Sequence, residues 1–346
     1  TLFRSLLRVG AHGLAPFGTT SEANSLTLAE RMSALEALVE GGVAPDRLIP
    51  GTGCCAAGDT IALSDHAAQL GCRGVLMLPP FYYKGVSEDG VLAAFAQVIE
   101  AVAARRGETF RVYLYHIPQM SGVPITLPLI DRLIAAYPGV IVGLKDSSGS
   151  WESTAAFIEA FPQLDIYSAS EAMIPDNVAA GGAGCISASS NVNARGIRAL
   201  IDGLDGPDHA TLHAQVAVVR RLFEGLPLIP AIKAAVAAQH GDTGFARLRP
   251  PFVPTGPDHA EAIVEAVRLA GAGGFVCSEV AVALARAGHC VLALDRAFDA
   301  PTEARLAAAG PGRIDRVEGD LGEALGRVAA RPDSVIHGAA LTTDPA

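Results

Sequence analysis

The chain has 346 residues, half of them hydrophobic, and 26 basic against 36 acidic side chains give a formal charge of −10. This is ample apolar material for one large core with a smaller unit beside it. With no basic cluster, nucleic acid and anionic membrane surfaces are poor partners, and no apolar run reaches the roughly 18 residues that span a bilayer.

Thr1–Arg8 reads as the tail of a helix whose beginning is absent, too short for the regions of a signal peptide. From there to about residue 240, short apolar runs alternate with amphipathic stretches. Strands are expected at 13–17, 47–50, 74–78, 111–117, 140–145, 165–168 and 184–188. Between them lie helical patterns. The first opens at Thr27, whose spacing to Glu30 is that of a capping box, with Met32, Leu35 and Val39 on one face. Others cover roughly 59–70, 87–104, 127–136, 151–161, 173–180 and 193–202. Strand-then-helix repetition means parallel strands joined by crossover helices.

A closed barrel of this kind needs eight strands. The sequence supplies seven, so the missing one should precede Gly13. Residues 207–239 then read as two further helices. The expected fold is α/β: a (β/α)8 TIM barrel lacking its first strand, with C-terminal helices, over residues 1–265. A truncated Rossmann-like unit is expected over 266–346. There Gly271-Ala272-Gly273-Gly274 enters a helix-like run, the apolar strand 291–294 follows, and Asp295 comes twenty-one residues after Gly274. That is the order of a glycine turn for a pyrophosphate and an acid for ribose hydroxyls.

Six cysteines show no Cys-x-x-Cys spacing, which favours a reducing cytoplasm over a disulfide framework or a zinc site. His209 and His213 have helical i, i+4 spacing without an accompanying Glu, so a solvated helix face is expected there and no metal site.

Lys145 is the residue on which a function can be built. Only three lysines stand against twenty-three arginines, and this one closes the apolar run 140–144 before the polar loop Asp146-Ser147-Ser148-Gly149. An amine at a strand end among apolar residues is partly desolvated, which favours the free base able to attack a carbonyl. Arginine cannot do this. Gly18-Thr19-Thr20, Phe81-Tyr82-Tyr83 and Tyr115 also fall at strand ends, the rim where this fold carries its chemistry. Together they suit imine chemistry on a 2-oxo acid. Lys145 would attack the ketone, Tyr115 would shuttle protons, and Thr20 with its backbone N–H would offer donors to the substrate carboxylate. No metal is needed.

Phe17-Gly18-Thr19-Thr20-Ser21-Glu22, Leu114-Tyr115-His116-Ile117-Pro118 and Gly143-Leu144-Lys145-Asp146-Ser147-Ser148-Gly149 closely resemble the dihydrodipicolinate synthase / N-acetylneuraminate lyase family. Residues 181–187 look like its seventh-strand segment, and the resemblance covers roughly residues 10–265. It implies a class I lyase or aldolase in which Lys145 forms a Schiff base with pyruvate or another 2-oxo acid. Tyr115 would be the relay phenol and Thr19 its hydroxyl partner. Thr20 would hold the carboxylate, and the Ile186 carbonyl would line the pocket. It also implies a homodimer or homotetramer in which a tyrosine of the paired subunit, best matched by Tyr82, completes the relay. Two positions depart from the pattern: Ser21 replaces the usual Gly, and Met120 replaces the Arg that grips the second substrate's carboxylate in the synthases. A thioether cannot make that pair, so aspartate semialdehyde is not the expected acceptor.

Gly271, Gly274, Asp295, Asp320 and the run Val335-Ile336-His337-Gly338-Ala339-Ala340 resemble the start of an extended short-chain dehydrogenase/reductase of the epimerase kind. The resemblance implies half of an NAD(P) site. Cys277 stands at the third glycine, and no Tyr-x-x-x-Lys pair follows before the chain ends. Two other readings stand beside the lyase: an NAD(P)-binding dehydrogenase or epimerase fusion, and an inactive truncated barrel with an open sheet edge.

Overall fold

The computed structural model describes residues 2–107, 110–255, 291–295 and 314–318, the last two stretches as backbone. The chain divides into two compact units, Thr1–Ala188 and Ser189–Ala346. In the first, α1 (Leu2–Arg8), α2 (Leu28–Glu40) and α3 (Ala57–Gln69) precede β1 (Val75–Met77). Next come α4 (Glu88–Arg106), β2 (Val112–His116), α5 (Pro118–Ser121), α6 (Leu127–Ala136) and β3 (Ile141–Asp146). Last are α7 (Trp151–Ala160), β4 (Asp165–Ser168), α8 (Ile174–Ala179) and β5 (Gly184–Cys185).

The five strands are parallel neighbours in chain order. Two expected strands extend the sheet only as isolated parallel bridges, Leu14 to Leu48 and Gly51 to Leu76. Their backbone still pairs: Leu14 N–H donates to the Arg47 carbonyl at 2.8 Å, and Leu76 N–H donates to Pro50 at 2.9 Å. Pro16 and Pro50 have no N–H to give, which shortens both segments to bridges. Seven parallel segments in this order, with crossover helices, are the (β/α)8 barrel pattern. Among the described residues no strand precedes Leu14.

Period-two alternation sorts the sheet into two faces. Val75, Met77, Val112, Leu114, Leu144 and Ile166 pack with helix residues such as Phe95, Ile99 and Leu129 in the outer core. Ile49, Leu76, Tyr113, Tyr115 and Ile117 form a separate inner core. Each fully buried side chain of this size is worth about 1.5–3 kcal/mol relative to exposure. The Thr27 capping box forms as expected: Thr27 Oγ1 accepts the Glu30 N–H at 3.3 Å, and Glu30 Oε2 accepts the Thr27 N–H at 2.8 Å. The buried face of α2 contains Leu35, but also Arg31.

In the second unit, α9 (Ser190–Asp202), α10 (His209–Arg221) and α11 (Leu228–His240) pack together, with both later helices against α9. His209 and His213 lie on α10. Farther along, β6 (Val291–Asp295) pairs in parallel with β7 (Ile314–Glu318). The expected strand before Asp295 is thus present. Gly271, Gly274 and Asp320 lie outside the described residues. Among the described residues no helix is long and apolar enough to cross a membrane.

His116, at the end of β2, faces the outer core, and its contacts there are structural. Its Nδ1 accepts the Ile125 N–H at 3.0 Å, and its ring stands edge-on to Phe157. Burial disfavours the imidazolium and outweighs the attraction of Asp146, so the pKa lies below the usual 6.5. The unfolded chain therefore binds a proton near pH 6.5 that the folded chain refuses. This contribution to stability is complete above that value and is lost as pH falls through the lower folded-state value. Replacing His116 by Asn should flatten the fall in unfolding free energy just below about pH 6.5. Denaturant titrations across that range check it; the same slope in both proteins would refute it.

Candidate active site

The inner face of β2, β3 and β4 brings the candidate residues together. Parallel register sets Tyr115 opposite Lys145, and Lys145 opposite Tyr167, so the three side chains share one level inside the sheet. The Lys145 amine stands 4.5 Å above the centroid of the Tyr115 ring. Its Nζ lies 3.5 Å from the Tyr115 hydroxyl, which in turn is 3.1 Å from Thr19 Oγ1. Lys145, Tyr115 and Thr19, named from the sequence on three separate segments, are thus one continuous chain of polar atoms.

Thr19 is presented by a single 3-10 turn, Thr19–Ser21. Two non-glycine residues with left-handed backbone flank it, Phe17 (φ 58°) and Glu22 (φ 56°). Such residues are uncommon and concentrate where a loop must hold a functional shape. Thr20 lies in the same turn, half-buried. A solvent-open pocket of about 300 Å³ meets this turn, lined by Phe17, Thr19, Asn24, Gly53, Leu78 and Tyr115.

Electrostatics separates three tyrosines of the same barrel interior. Burial raises the pKa of Tyr115, but the Lys145 charge and hydrogen bonds with Thr19, Ser147 and Lys145 outweigh it. The net result is a phenol that ionises more readily than usual. Tyr113 and Tyr167 go the other way: burial pushes both up, helped by the nearby Asp165 carboxylate. Groups in one site with pKa values driven apart by their surroundings are a sign of assigned acid–base roles.

Ser147, which the sequence pattern does not single out as a site residue, joins the Tyr115 network through its hydroxyl. Its carbonyl accepts from Gln119 Nε2 at 2.5 Å, and its N–H donates to the His116 carbonyl at 2.7 Å. The signal was available in its position, two residues past Lys145 on the same rim. Asp146 points outward instead. Its buried carboxylate accepts from Ser148 N–H and Thr154 Oγ1, both at 2.8 Å, and pins the loop after Lys145 to α7.

Ile186 follows β5 at the same end of the sheet, its N–H donating to the Ser168 carbonyl at 2.9 Å. Tyr82 is not brought to the cluster by this chain: it is 74% exposed on the loop after β1, edge-on to Tyr83. Among the described residues no three His, Cys, Asp or Glu side chains are grouped to hold a metal ion.

The competition at Tyr115 has a spectroscopic signature. One tyrosine, Tyr115, should titrate below the ordinary value of about 10, and Lys145→Met should move it upward because burial then acts without the opposing charge. Thr19→Val should produce a smaller upward shift. Tyrosinate absorbance against pH measures both; an early-titrating phenol untouched by Lys145→Met would contradict the assignment.

Comparison with known proteins adds the lineage. Residues 1–270 match the dihydrodipicolinate synthetase family, and residues 267–346 match the NAD dependent epimerase/dehydratase family. An uncharacterized DapA-like lyase of Chloroflexus aurantiacus is 40% identical over 263 residues, covering 75% of this chain and 85% of the relative. The crystal structure of dihydrodipicolinate synthase from Agrobacterium tumefaciens aligns with a TM-score of 0.67 at 31% identity, over 76% of this chain and 88% of that one. YagE, an E. coli K12 prophage protein of the same family solved in complex with pyruvate, shares the fold at TM-score 0.69 and 24% identity, over 78% and 90% of the two chains. With that match over most of its length, this chain belongs to the dihydrodipicolinate synthetase family and is a lyase of that family.

Proposed function

We propose that this lyase is a Schiff-base-forming, class I enzyme that makes or breaks a C–C bond in pyruvate or another 2-oxo acid, without a metal. The observation that carries the reading is the Thr19–Tyr115–Lys145 chain of contacts on one inner face of the sheet. The Lys145 amine adds to the ketone carbon of the substrate, and the carbinolamine loses water to give a cationic imine. In the cleavage direction, the C–C bond two carbons along breaks, and its electrons flow into the imine to leave an enamine. Tyr115, having given its proton to the departing water, takes the proton of the hydroxyl on the leaving carbon, and that fragment departs as an aldehyde. The enamine carbon then takes a proton back, and water releases the 2-oxo acid and the free amine. A phenol whose ionised form is already favoured by Lys145 and Thr19 suits that two-way traffic. Thr20 is assigned to the substrate carboxylate, and the Ile186 carbonyl to the pocket wall.

Condensation, cleavage of a sugar-acid derivative and dehydration of a deoxy-keto sugar acid all fit this imine chemistry. Relatives named 4-hydroxy-tetrahydrodipicolinate synthase share 28–31% identity with this chain, for example in Methanococcoides burtonii and Thermus thermophilus. Structures of the same fold include a Sulfolobus solfataricus 2-keto-3-deoxygluconate aldolase variant. Met120 argues against aspartate semialdehyde as the acceptor. It lies on α5, immediately after β2, 61% exposed, where it offers no charge-assisted pair to a second carboxylate. The exposed Tyr82 and Tyr83 fit an edge that a second copy covers, and the assembly is assigned as a homodimer or homotetramer.

Borohydride treatment with pyruvate, followed by peptide mass analysis, tests the chemistry. The expected result is one reduced adduct on the peptide carrying Lys145, lost in Lys145→Arg. Tyr115→Phe should keep the adduct while slowing turnover on the order of a hundredfold. Condensation with aspartate semialdehyde should be slow or absent, and Met120→Arg should raise it. A wild-type protein that traps no pyruvate overturns the mechanism; brisk condensation overturns the argument from Met120.

A further inference from the structure

The register of β3 contains an irregularity that bears on Lys145. Val112 pairs with Ile141, yet the next residue, Tyr113, pairs with Gly143, so β3 carries one extra residue, Val142. In an uninterrupted strand, residues four apart face the same side. Ile141 belongs to the outer core, yet Lys145 stands over the Tyr115 ring on the inside. The reversal is possible because Val142 and Gly143 both lie on the inner side. Val142 packs against the inner core. A Cβ on Gly143 would stand 2.5 Å from Tyr113 Cδ1 and 2.6 Å from the Asp165 carbonyl oxygen. Bulges of this kind bend a strand and re-aim the side chains beyond them.

Tyr113 holds the bulge in place. Its ring lies on the bare Cα of Gly143. Its hydroxyl accepts from Arg73 Nε at 3.1 Å and donates to Asp165 Oδ2 at 3.4 Å, tying the segment before β1 to β4 across β2 and β3. The Tyr167 ring, level with the amine, sits 6.3 Å from the Tyr113 ring and packs beside it.

We propose that Tyr113 is a positioning residue: by wedging against Gly143 it fixes the Val142 bulge, and the bulge aims Lys145 across the face of Tyr115. The inference rests on the imine-forming reading, and its test separates the two.

Because the chain has only three lysines, at 84, 145 and 233, reductive ¹³C-methylation gives a spectrum simple enough to follow Lys145 alone. In the wild type its methyl signal should lie upfield of the other two, shielded by the Tyr115 ring beneath it. Tyr113→Leu should lose most of that displacement and slow imine formation with pyruvate about tenfold to a hundredfold. Tyr113→Phe, which keeps the ring, and Arg73→Met, which removes one tie, should each lose part of both. A purely structural role predicts lower thermal midpoints with the methyl position and imine rate unchanged, and that outcome overturns the proposal. Should Tyr113→Leu fail to fold, Tyr113→Phe and Arg73→Met decide alone: wild-type values for both measurements in both variants refute it. Should the wild type trap no pyruvate, the imine reading fails while the methyl signal still decides the aiming.

Discussion

The contact between one amine and one phenol organises the first unit of this protein. Lys145 and Tyr115 are register partners on adjacent parallel strands, so backbone hydrogen bonding alone puts them level. What backbone pairing does not supply is the direction of each side chain. That comes from the alternation of β2, from the extra residue in β3, and from a turn that brings Thr19 within hydrogen-bonding distance of the phenol. The buried phenol is then governed by a competition: loss of water favours the neutral form, and a neighbouring cation with three hydrogen bonds favours the anion and wins.

Much of this could be read from residue order. Polar groups that close apolar runs are conspicuous, which is why Lys145, Tyr115 and Thr19 stood out, and the Thr27–Glu30 spacing located the start of α2. Other features left no trace because they depend on a neighbour distant in sequence. The run 140–144 reads as uniformly apolar, so nothing in it marks the point where alternation slips. The Gly143 requirement appears only when the Tyr113 ring and the Asp165 carbonyl are set beside it. Nothing in the helical pattern marks Arg31, yet its guanidinium is buried and reaches the Gly51 carbonyl and the Cys54 sulfur. β7 was missed because Asp315, Arg316 and Glu318 interrupt any apolar pattern.

The two outcomes at the sheet edge have a common cause. Residues 13–17 and 47–50 have the composition of strands, but Pro16 and Pro50 remove donors from the ladder, so pairing survives only as bridges. The same shortening lets the chain depart from the sheet at Phe17 and form the tight turn that carries Thr19. Here a weakness in pairing and the presentation of a reactive hydroxyl follow from the same few residues.

The tiering of the three interior tyrosines has a consequence for where protons can go. Tyr115, which lines the pocket, ionises more readily than usual; Tyr113, one step below, and Tyr167, level with the amine, hold their hydrogens more tightly. The Tyr113 hydroxyl, held between Arg73 and Asp165, is suited to bracing the sheet, whereas the phenol beside the amine is the one suited to exchanging a proton.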